Sequence, residues 1–188
     1  MALFGVGIPA PPTAGFFDGQ DGRVQDPRGD AQPILQRSNA SVIPEVKDYH
    51  DVTSATVRKA DGLLELTINL AGNPNLNEKY ETNYMWNMIY LSPDTGRTQT
   101  YVVMFVNFAP DFNHTAQGWH YAVFDRTGDI YVIPQTPIEN MPADRVEFNL
   151  DAELIGNPSS FQFWVSVYTR VNSTSFEGAP EYLMDYAP

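Results

Sequence analysis

From Asp51 onward, apolar and polar residues alternate in short runs with a period of two, the repeat of a half-buried strand. Leu63–Leu70 is the cleanest: Leu64, Leu66, Ile68 and Leu70 share one face, while Glu65, Thr67 and Asn69 share the other. The Asp61-Gly62 pair before it is a hairpin signal that ties it to a β-branched run over 52–58. Segment 84–91 repeats the pattern, with Tyr84, Trp86, Met88 and Tyr90 on one side. Thr98–Phe108 is apolar on both faces around Val102–Val106, which predicts a central strand. Segments 120–125 and 130–133 flank a turn at 126–129 and read as a hairpin, and 146–150 is a further strand. Segment 160–169 is the strongest: Phe161, Phe163, Val165 and Val167 face one way, and Gln162, Trp164, Ser166 and Tyr168 the other. Between these last two, 151–156 predicts one helical turn with Asp151 as cap and Gly156 as stop. The sum is about eight strands and almost no helix, the pattern of a single antiparallel β-sandwich of jelly-roll or immunoglobulin-like kind.

The first third of the chain reads differently. Residues 1–17 are apolar but punctuated by Pro9, Pro11 and Pro12, which predicts an extended N-terminal arm rather than a signal peptide. Residues 18–50 carry turn residues throughout and no sustained period, so they are expected to be a long loop organised by a ligand, a metal or a neighbouring surface. The expected division is an arm over 1–17 and a sandwich over 18–188.

Composition agrees with the strands. The 188 residues include 11 Phe, 10 Tyr and 3 Trp, which suit pleated surfaces, and 15 Pro with 13 Gly, which exclude long helices. The net charge of −12 repels polyanions and anionic membranes, so nucleic acid is excluded as a partner, and no run is long enough for a membrane span. With no cysteine there are no disulfides, thiolate sites or Cys nucleophiles. No Gly-x-Ser-x-Gly elbow or phosphate loop occurs, and the chain is expected not to be an enzyme. His50, His114 and His120 form no His-x-His pair, and a strand Met such as Met88 is ordinarily core, so haem is not expected. Sequons stand at Asn39, Asn113 and Asn172.

Four pieces carry a family likeness. Asp26-Pro27-Arg28-Gly29-Asp30 opens the loop, and 51–57 (DVTSATV) begins the first strand. The hairpin over 62–72 follows, and the chain ends on Asp185-Tyr186-Ala187-Pro188. In this order, over roughly residues 24–188, the chain resembles the DOMON-like, family-9 carbohydrate-binding-module-like β-sandwich domains of exported prokaryotic proteins. The resemblance implies a binding or scaffold role outside the cell or at its surface, with any signal already removed.

In the resembling domains, acidic residues of the opening loop and of the first strand's start can share a Ca²⁺ ion. The matching candidates are Asp26, Asp30 and Asp51, with Asp48 beside them. Ca²⁺ takes six to eight oxygen ligands, and a loop that also contains Asp18, Asp21 and several glycines can supply them. The plainer reading is a solvated turn in which Asp side chains bond their own backbone. For a carbohydrate, Trp164 with Tyr168 and Trp119 with Tyr121 are the candidate ring platforms, set against the alternative that both faces of their strands are core. The first expectation is therefore a Ca²⁺-stabilised module binding carbohydrate or another surface component. The second is a structural subunit of a surface layer or filament, a homo-oligomer formed when residues 2–8 complete a neighbour's sheet.

Overall fold

A computed structural model describes residues 13–37, 43–77, 82–108, 118–128, 130–132, 138, 141–170 and 181–188. The candidate donor strand at 2–8 and the sequons at Asn39, Asn113 and Asn172 lie outside these, as does His114.

The expected β-sandwich is present: two antiparallel sheets pack face to face, and among the described residues the helical content is limited to short 3₁₀ turns. The chain contributes β1 (Gly15–Phe17), β2 (Asp21–Gln25), β3 (Ile34–Arg37), β4 (Val52–Ala60), β5 (Leu63–Leu70) and β6 (Thr82–Leu91). It continues with β7 (Thr98–Phe108), β8 (Gly118–Asp125), β9 (Ile130–Val132), β10 (Arg145–Asp151), β11 (Phe161–Arg170) and β12 (Glu181–Ala187). The larger sheet runs β3-β12-β11-β6-β7-β8-β9, with β1 also on β11; the smaller runs β10-β5-β4-β2.

The alternation read from sequence decides which side chains meet between the sheets. Leu64, Leu66 and Ile68 of β5, with Val146 and Leu150 of β10, face Trp86, Met88, Phe163 and Val165 of the larger sheet. The Trp86 and Phe163 rings stack at 4.7 Å, and Phe105 meets Phe148 edge-on at 4.1 Å. Each such fully buried side chain stabilises the fold by roughly 1.5–3 kcal/mol. The 151–156 turn is a 3₁₀ turn in which Asp151 accepts the Glu153 N–H at 3.0 Å and Gly156 closes it in the left-handed conformation (φ 77°).

Segment 18–50 differs from expectation. It holds β2 and β3, while β1 occupies the end of the expected arm. These strands are three to five residues long, and each gains its order from a distant partner: β1 from β11, β2 from β4 and β3 from β12. Local pattern carries little trace of such pairing.

Candidate functional site

Where β2 ends, the chain turns through Asp26–Asp30 and crosses the mouth of the sandwich between the two sheets. Gly29 sits in the left-handed region (φ 86°), which folds the turn back so that its N–H donates to Asp51 Oδ2 at 2.8 Å. Asp51 lies just before β4, and Asp185 lies within β12, which contacts β4. Asp185 Oδ2 accepts the Val52 N–H at 2.6 Å and its Oδ1 accepts the Tyr186 N–H at 2.8 Å. The Asp26 N–H donates to the Thr53 carbonyl at 3.1 Å, and the Gln32 N–H to the Met184 carbonyl at 2.8 Å.

These bonds gather carboxylates that are far apart in sequence. Oxygens of Asp26, Asp30 and Asp185 all lie within 4.8 Å of one another. Points on a sphere of Ca²⁺–oxygen radius, about 2.4 Å, are separated by no more than twice that radius. Each pair of the three falls within that limit. Asp51 borders them: it is only 5% exposed, and its Oδ1 is buried with no hydrogen-bond partner. Asp26 Oδ2 is buried and partnerless too. A buried carboxylate oxygen without donor or cation is costly, and two in one place call for a positive charge.

The electrostatics agree. Burial first, then the charges of Asp185, Asp30 and Asp51, push Asp26 up to about 7. Burial pushes Asp185 up to about 6 against the lowering effect of the Val52 and Tyr186 N–H groups. Asp51 is also raised, by burial above all, while the Gly29 bond opposes the rise. The donor set is all oxygen, with neither His nor Cys, which selects a hard cation over zinc or copper.

The structure sorts the expected ligands. Asp26 and Asp30 come together with Asp185, whereas Asp51 is outside that trio and is tied to its turn through the Gly29 N–H. Asp48 is exposed at the start of a 3₁₀ turn and lies outside the cluster. Asp185 was not expected; the signal for it was a carboxylate inside the apolar run Tyr182-Leu183-Met184-Asp185-Tyr186. Asp18 forms a plain solvated turn, its Oδ1 accepting the Gln20 and Asp21 N–H groups at 2.9 and 3.1 Å.

The candidate sugar platforms are distributed differently. Trp164 is 2% exposed on the outward side of the larger sheet, with Tyr168 half-buried on the same side. Trp119 is 4% exposed, belongs to the core and donates its indole N–H to Asn75 Oδ1 at 2.8 Å. Tyr121 packs against Phe148 at 4.9 Å. The two pairs lie on opposite sides of one sheet, and neither Trp offers a ring face to solvent. Of the candidate haem ligands, Met88 is core, and His50 is fixed by Thr82 and Thr169, each 3.1 Å from its Nε2. Among the described residues no helix is long and apolar enough to cross a membrane. Compared with known proteins, the chain matches no family model, no curated protein and no solved structure.

Proposed function

We propose that this domain is a non-catalytic binding or scaffold module built around a bound Ca²⁺ ion and working outside the cell. One observation carries the reading: the carboxylates of Asp26, Asp30 and Asp185 converge, and Asp26 and the neighbouring Asp51 each leave one buried oxygen without a hydrogen-bond partner. Those four side chains would hold the ion, with carbonyls or water completing its shell. The ion supplies the positive charge that lets all four carboxylates stay ionised in a partly buried place. The resemblance to DOMON-like domains points the same way. The buried indoles favour the cation, rather than a sugar platform, as the organising feature of the module.

Calorimetric titration and thermal unfolding test this directly. Ca²⁺ at a hundredfold excess over its dissociation constant adds about 2.7 kcal/mol to stability. For a domain of this size that raises the melting temperature by about 5–10 °C. Asp51→Asn is expected to remove most of the binding heat and of the shift. No heat and no shift with the unaltered chain would sink the proposal.

A further inference from the structure

The cation reading just given leads to a question about what the ion holds in place. Residues 15–37 supply β1, β2 and β3, and each has a single strand partner, at the margin of its sheet: β11, β4 and β12 respectively. Removing all three leaves the neighbours β10-β5-β4 and β12-β11-β6-β7-β8 still paired in order. The segment's apolar attachment is thin. Among residues 15–36 only Gly15, Phe17 and Val24 are buried, and Ile34 and Leu35 are about half exposed.

The carboxylates divide along the same line. Asp26 and Asp30 belong to this segment, while Asp51 and Asp185 belong to the body. Without a cation that boundary sets like charges against one another within the 4.8 Å cluster. With a cation, each side supplies ligands to one ion. Asp51, 5% exposed, stands on the body side: its Oδ2 accepts the N–H of Gly29 in the segment's turn, and its Oδ1 is buried without a partner.

We infer that the ion is the lock of a detachable N-terminal strap. When Ca²⁺ is bound, residues 15–37 lie across both sheets. When it is removed, they leave as a unit and uncover the margins of β4, β11 and β12, while the central strands persist. The bared margins carry free backbone donors and acceptors, so strap release is also what exposes this domain to strand pairing with another chain.

Hydrogen exchange on the whole chain, in Ca²⁺ and in EDTA, with calorimetric titration alongside, decides the matter. Peptides covering 15–37 are expected to exchange at least about tenfold faster in EDTA, while those in β6 and β7 change far less. Asp30→Asn removes one strap-side charge from an exposed position. In that variant the strap is expected to exchange more slowly in EDTA than in the unaltered chain, and its response to Ca²⁺ to shrink. If Ca²⁺ binds but exchange is unchanged, or rises equally in every strand, the strap is overturned and the cation site stands. If no binding heat is seen, the cation site falls first and the strap with it.

Discussion

Asp26 and Asp185 carry folded-state pKa values of about 7 and about 6, both raised from an ordinary 3.8. A carboxyl raised on folding holds its proton more tightly in the native state. Its contribution to stability is complete below about pH 4 and is lost as pH rises through the folded value. Metal-free protein should therefore lose stability between about pH 4 and 7. Ca²⁺ binds only the ionised carboxylates, so its affinity should rise over the same interval and its binding release protons near pH 6. Melting curves at pH 5 and pH 8 with EDTA and with Ca²⁺ check this: the EDTA protein should melt higher at pH 5, and the Ca²⁺ increment should be larger at pH 8. An EDTA protein that melts higher at pH 8 contradicts the cluster's electrostatics. Two members of this cluster, Asp26 and Asp30, were legible in the chain because they share one opening loop. Asp185 was not, since it meets Asp26 across 159 positions (185 less 26), a separation that only the completed sheet spans. Asp48 stood beside the matching candidates by proximity to Asp51; three residues of 3₁₀ turn are enough to leave it exposed while Asp51 is buried.

Strands with one wet face announce themselves, and β5 is the example: its exposed and buried positions alternate as its leucines do. Strand β12 is buried on both faces and shows no alternation, so Glu181–Ala187 carried no strand signal despite lying second from the sheet's edge. Turns were read correctly where a side chain fixes the backbone, as Asp151 and Gly156 do. That turn also braces the larger sheet: the Tyr90 hydroxyl donates to the Ile155 carbonyl at 2.8 Å, and a Cβ on Gly156 would collide with that hydroxyl. Gly156→Ala thus combines left-handed strain with a broken, partly buried hydrogen bond, and the expected loss is about 2–4 kcal/mol. Gly62 is the control. Its φ of 84° carries the same strain, but nothing lies within 4 Å of an added Cβ, so Gly62→Ala should lose only about 1 kcal/mol. Urea midpoints of the two variants measure the difference. Equal losses would mean that the Tyr90 contact contributes nothing.

Across the whole molecule, the last strand closes what the first ones begin. Strand β12 lies between β3 and β11, buries Tyr182, Leu183, Met184 and Ala187, and brings Asp185 to the carboxylate cluster. Its three large side chains alone account for roughly 5–9 kcal/mol of burial. That is of the same order as the entire stability of a typical domain, about 5–15 kcal/mol. Deleting residues 181–188 should therefore abolish the cooperative urea transition and the response to Ca²⁺ together. Met184→Ala makes the smaller version of the same lesion: it removes one buried side chain at about 2–5 kcal/mol but keeps the ladder and Asp185. It should lower the urea midpoint while leaving a single transition that Ca²⁺ still shifts upward. Because the core joins both sheets and β12 adjoins β3, the core and the carboxylate cluster alike, a truncated chain that still unfolds cooperatively would show that the sheets are stable without their last strand.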